Sequence, residues 1–152
     1  MHIAFEPADQ PEVVALIEAL DSYQMPMYPP ESHHGVDIAA LAAPNVLFAV
    51  ARDEQGAAVG CAGMVLETDY GEVKRMFTAP GFRGRGVAGR LLNFLEAEAA
   101  ARGCFRYALE TGHLQIEAIA LYERAGYVRC APFGSYAEDP SSVFMAKDAS
   151  LA

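Results

Sequence analysis

Positive charge is scarce in this 152-residue chain: 11 Lys and Arg face 20 Asp and Glu, for a net charge of −9. So acidic a protein is a poor ligand for nucleic acid, which excludes that class of partner. No apolar run reaches the ~18 residues that a membrane span needs. The opening MHIAFEPADQ has neither a basic start nor an apolar core, so no secretory signal is expected. Cysteine is sparse too. Cys61, Cys104 and Cys130 are odd in number, and no two stand at metal-ligand spacing. Each lies in an apolar run, which predicts buried free thiols and a reducing, cytoplasmic setting. No His, Cys and acid cluster has metal spacing, so no metal is expected.

The composition is 53% apolar, which suits a packed core, and the length suits one domain, 1–152. The few bases are unevenly placed. Seven of the eleven lie between Lys74 and Arg106, against only Glu96 and Glu98. That segment carries +5 and the remainder −14. One basic segment in an acidic protein points to a site for a small anion.

The pattern of residues predicts β-α-α-β-β-β-α-β-α-β-β, a mixed sheet with helices on both sides. HIAFE is a short strand. Asp9 is the expected cap of a first helix that carries Pro11 in its first turn and runs to about Tyr23. QMPMYPPESHHG (Gln24 to Gly35) is a loop, and a short helix from about Val36 to Leu41 follows. NVLFAVA, AAVGCAGMVLE and EVKRMFT then form a three-strand meander. VAGRLLNFLEAEAAARG is a strong amphipathic helix ended by Gly103. CFRYALET is a strand, HLQIEAIALYERAG a helix, YVRC a short strand and SVFMAK the last.

Between the third meander strand and its helix lies GRGVAG, Gly84 to Gly89. Its spacing is that of a dinucleotide-binding loop, and Glu110 stands ~20 residues on, where a ribose-binding acid would sit. The setting does not fit. Five residues, Ala79 to Arg83, separate the strand from the first glycine. The preceding sheet is antiparallel, and too little chain follows for the second half of such a fold. The chemistry still favours a pyrophosphate. Gly84, Gly86 and Gly89 admit close backbone approach, the helix start offers free N–H groups, and Arg83, Arg85 and Arg90 add charge.

At these residues the chain resembles a family. Arg83-Gly84-Arg85-Gly86-Val87-Ala88 matches the R/Q-x-x-G-x-G/A signature of the GNAT N-acetyltransferases. EVKRMFTAPGFRGRGVAGRLL resembles that family's fourth strand, pyrophosphate loop and following helix. LETG and AIALYERAGY resemble its fifth strand and next helix, and FGSYAEDPSSVFMAK the tail of a bacterial subgroup acting on small molecules. The resemblance implies an α/β (α+β) single-domain fold whose mixed, mostly antiparallel sheet is splayed between strands four and five, where acetyl-CoA enters.

It further implies roles for particular residues. Met76, Phe77 and Thr78 would bond the pantetheine arm through their backbone. Arg83, Gly84, Arg85, Gly86, Val87, Ala88, Gly89 and Arg90 would hold the pyrophosphate. Gln115 stands where many relatives place a CoA-contacting asparagine. Tyr122 stands at the general-acid position, and its ordinary pKa near ~10 suits protonating a leaving thiolate. Glu72 and Glu110 compete as general base. The acceptor would meet Tyr28, His33 and His34 after the first helix, with Phe133 and Tyr136 from the tail. The implied reaction is direct acetyl transfer to the amine of a small molecule or amino acid. The alternatives are a non-catalytic acyl-CoA sensor and a peptide or protein N-acetyltransferase. The apolar strands near the C-terminus are compatible with a homodimer.

Overall fold

The computed structural model describes residues 1–32 and 37–151. Seven strands form one sheet: β1 (His2–Phe5), β2 (Val46–Arg52), β3 (Ala58–Leu66), β4 (Gly71–Thr78), β5 (Arg106–Gly112), β6 (Val128–Cys130) and β7 (Ser142–Asp148). Three helices accompany them: α1 (Pro11–Gln24), α2 (Val87–Ala101) and α3 (Ile116–Arg124). The strand order is β1-β2-β3-β4-β5-β7-β6. Every pairing is antiparallel except β4 with β5. This is the expected mixed sheet.

Strand alternation divides the core into two layers. Leu47, Ala49 and Ala51 of β2 face the layer built on Leu91, Leu92, Leu95 and Ala99 of α2, which also holds Tyr122 and Tyr127. Phe48 and Val50 face the other layer, with Val13, Leu16, Ile17 and Leu20 of α1 and Phe77 of β4. Helices therefore cover both faces, and the two layers meet β4 from opposite sides, one at Val73 and the other at Phe77.

Three local expectations change. Gln10, not Asp9, precedes the first helix, and no side chain caps it. The Gln10 amide instead donates to Glu6 Oε1 (2.9 Å) and the Pro7 carbonyl (3.0 Å), while Pro11 occupies the first turn as foreseen. The short helix near residues 36–41 is only a 3₁₀ turn at Ala40–Ala42, started by Asp37 Oδ1 accepting from the Ala40 N–H at 2.8 Å; Val36 lies outside the described residues. Of the three cysteines only Cys61 is buried. Cys104 is half-buried, and Cys130 is exposed because β6 is the last strand of the sheet and leaves one edge open.

Candidate active site

The parallel ladder between β4 and β5 is short: Gly71, Glu72 and Val73 pair with Tyr107, Ala108 and Leu109. Past these residues the strands part. β5 stays in register with β7 along its length, whereas β4 bulges. Between the Cys61–Phe77 and Gly63–Lys74 pairs, Ala62 of β3 faces two β4 residues, Arg75 and Met76. Arg75 has a left-handed φ of 58°, and its guanidinium pairs with Asp21 of α1. A bulge turns a strand edge away from its neighbour, and here it leaves the Lys74–Thr78 edge of β4 facing a cleft.

That cleft has a volume of about 820 Å³ and runs from the glycine loop along β4 to the end of β5. Met76, Phe77 and Thr78 line one wall, and Gln115, Ile116 and Tyr122 line the other. At its mouth Gly84 (φ 76°) and Gly86 (φ 78°) are left-handed, a conformation that side chains other than glycine strain to adopt. A Cβ at Gly84, Gly86 or Gly89 would meet nothing within 4 Å, so the space beside the loop is open. Gly86 starts α2 with no side-chain cap, which leaves the first-turn N–H groups of Val87, Ala88 and Gly89 directed out of the helix end.

The three arginines expected at this loop do not act as a set. Arg83 lines the cleft, donates from Nε to the Thr78 carbonyl (3.1 Å) and lies over the Phe77 and Tyr23 rings. Arg85 lies over the Phe82 ring, and Arg85 and Arg90 line a second, smaller concavity with Met1, Asp53, Glu54 and Gln55. Loop and helix geometry thus send their side chains to the other side of Phe82 and Val87.

Both candidate bases reach the cleft, in different company. Glu72 Oε2 accepts the Tyr136 hydroxyl at 2.6 Å and lies 3.3 Å from Lys74 Nζ, which also donates to Tyr136 Oη at 2.7 Å. Burial, then the Glu72 carboxylate, pushes the Tyr136 hydroxyl well above its ordinary pKa, so it remains a donor. Glu110 Oε2 accepts the Ser142 hydroxyl from β7 at 2.7 Å. Tyr122 is 6% exposed. Burial, then Glu110, raises its pKa far above the ordinary value. Its hydroxyl has no hydrogen-bond partner among the described residues and is left facing the cleft. Gln115 turns its carbonyl oxygen back to Thr111 Oγ1 (2.8 Å) and the Gly112 N–H (3.1 Å), which fixes where its amide nitrogen points.

At the far end of the cleft, two segments close over β5. Tyr28 presses on Gly112, where a Cβ would lie 1.8 Å from the phenol oxygen. The Ser32 hydroxyl donates to Asp139 Oδ2 at 2.8 Å, joining the segment after α1 to the tail. Tyr136 lines the cleft. Phe133 does not; it packs behind Tyr136 in a cluster with Tyr70 and Phe144. His33 and His34 lie outside the described residues. Sequence reasoning overlooked Lys74, Ser142 and the Asp21–Arg75 pair. Lys74 alone left a signal, because it lies two residues from Glu72 on one strand and so shares its face.

Among the described residues no group of three or more His, Cys, Asp or Glu converges to hold a metal, and no helix is long and apolar enough to cross a membrane. The model of the acetyltransferase (GNAT) family matches residues 15–127. The chain is 47% identical over 147 residues to the IAA acetyltransferase of Azospirillum brasilense, covering 95% of each. It is 39% identical to the uncharacterized N-acetyltransferase YsnE of Bacillus subtilis, covering 97% of this chain and 99% of that one. A Klebsiella pneumoniae structure assigned as an acyl-CoA N-acyltransferase superposes with a TM-score of 0.83 at 38% identity, over 97% of both chains. The matches span the elements that form the cleft, from α1 through the glycine loop to β6, and the chain therefore belongs to the GNAT family of N-acetyltransferases.

Proposed function

We propose that the protein transfers the acetyl group of acetyl-CoA directly to the amine of a small molecule or amino acid. The observation that carries this reading is Tyr122, a buried side chain whose hydroxyl keeps its proton, lining the same cleft as two carboxylates. The cleft fits coenzyme A on its own chemistry. The open, left-handed glycines and the first-turn N–H groups of α2 suit a pyrophosphate. The β4 edge past Val73, which has no strand beside it, suits the amides of the pantetheine arm. Two fold neighbours, an aminoglycoside 6'-N-acetyltransferase and the PaiA N-acetyltransferase of Thermoplasma acidophilum, were solved with coenzyme A.

In this reading Glu72 or Glu110, directly or through a water, takes a proton from the acceptor ammonium. The neutral amine attacks the thioester carbonyl, the C–S bond breaks as Tyr122 gives its proton to the departing sulfur, and the second proton lost by the acylated nitrogen restores the tyrosine hydroxyl. Glu72 is held by both Tyr136 and Lys74. The closures at Tyr28–Gly112 and Ser32–Asp139 cover the acceptor end, which favours a small acceptor over a peptide.

Thiol release from acetyl-CoA, measured against amino acids, polyamines and peptide N-termini, tests the reading. Turnover with a small amine supports it. Turnover with peptides alone transfers the assignment to protein acetylation, and tight CoA binding with no turnover on any acceptor makes the protein a sensor. Glu72→Gln and Glu110→Gln separate the bases: the variant that loses the acidic limb of the kcat/KM profile removes the base.

A further inference from the structure

We propose that Asp21 and Arg75 form a clamp that positions the β4 edge for the CoA arm, an inference that rests on the acyl-CoA reading of the β4–β5 opening. Among the described residues Arg75 is the one non-glycine with positive φ, at 58°. Glycine or asparagine enters this region readily, and arginine does not. The residue sits at the bulge where β4 leaves the ladder, just before Met76, Phe77 and Thr78, whose edge lines the cleft.

The tertiary structure holds Arg75 from both ends. Its guanidinium reaches both carboxylate oxygens of Asp21 through two different nitrogens, the fork geometry that arginine makes with a carboxylate. Its carbonyl accepts the buried Cys61 thiol at 3.5 Å. The Arg75 side chain is 10% exposed, whereas that of Asp21 is 48% exposed. A pair so open to solvent on one side contributes little to overall stability. Its value is directional. It ties the cleft end of α1, where Leu20, Tyr23 and Gln24 also line the cavity, to the strand position that sets where the next peptide groups point. Loss of the pair would favour the return of Arg75 to an ordinary extended φ, which would rotate the N–H and C=O groups of residues 76–78 away from the cleft. Asp21 and Arg75 are thus positioning residues; neither is assigned a part in the chemistry.

The test uses the full chain and coenzyme A itself. Asp21→Asn, Arg75→Asp and the charge-swapped double variant Asp21→Arg/Arg75→Asp are compared by calorimetry, thermal melting and amide hydrogen exchange. Aspartate tolerates left-handed backbone, so Arg75→Asp tests the pair and not the strain. Asp21→Asn is expected to weaken CoA binding by about threefold to tenfold with the melting temperature nearly unchanged, Arg75→Asp to weaken it at least as much and to melt lower because two carboxylates then face each other, and the swap to recover most of both losses. Amides 76–78 of Asp21→Asn should exchange faster in the absence of CoA. Single variants that bind CoA as tightly as the parent, or a swap no better than the worse single variant, would overturn the clamp. So would unchanged exchange at residues 76–78, which is read without any ligand. Failure of the parent protein to bind CoA is a different result and removes the acyl-CoA reading itself.

Discussion

Replacing Tyr122 by phenylalanine removes one oxygen and leaves the ring where it packs, 6.0 Å from Tyr127. The hydroxyl makes no bond to a described residue, so nothing is orphaned by its loss. Folding stability should therefore stay within about 0.5 kcal/mol of the parent. The chemical step should not survive so well. A positioned general acid contributes about 10²–10⁴-fold, or roughly 3–5 kcal/mol of barrier. Single-turnover release of CoA thiol, with CoA affinity measured in parallel, separates these effects: kcat should fall by at least ~10²-fold while the Kd for CoA holds. The pH dependence adds a second check. Burial and Glu110 raise the Tyr122 pKa, so the group keeps its proton below its ordinary value near ~10. It cannot set an alkaline limb below that pH, and the Phe variant should leave the shape of the profile unchanged. A kcat within about threefold of the parent at equal CoA affinity would remove Tyr122 from the mechanism.

Buried tyrosines should also make the protein sensitive to alkali. Burial raises Tyr107 to about 12 and takes Tyr122 and Tyr127 higher, whereas unfolded tyrosines ionise near ~10. Above pH ~10 the unfolded chain thus holds fewer protons than the native one. Stability should then fall as pH rises, by up to about 1.4 kcal/mol per unit for each tyrosine, visible in urea melts from pH 9 to 11. Gly112→Ala should cost about 1–3 kcal/mol by driving a methyl into the Tyr28 ring, and Tyr28→Leu should recover much of that loss in the same melts. Arg83→Ala should weaken CoA binding in calorimetry more than Arg85→Ala or Arg90→Ala does, because only Arg83 lines the cleft; equal losses from all three would refute that division of the loop.

Much of the fold is written locally. The period-two runs of β2, β3 and β4, the apolar face of α2 and the glycine loop before it are all visible as residue spacing, and the structure places each within a residue or two of its expected bounds. Local spacing says where a strand is and which residues share its face; it does not say what lies opposite. Tyr136 donates to Glu72 across 64 positions, Ser142 to Glu110 across 32, and Arg75 to Asp21 across 54. Those pairings depend on β7 lying between β5 and β6 and on a bulge that shifts the β4 register, both products of the whole sheet. The same holds for the arginines. Their number and proximity to three glycines are sequence facts, but the left-handed turns at Gly84 and Gly86 aim Arg83 into the cleft and Arg85 and Arg90 out of it. The sequence by itself determined the strands, the glycine loop and the residue types of the candidate site. Only the packed sheet decided which carboxylate meets which hydroxyl, because that depends on contacts between segments far apart in the chain.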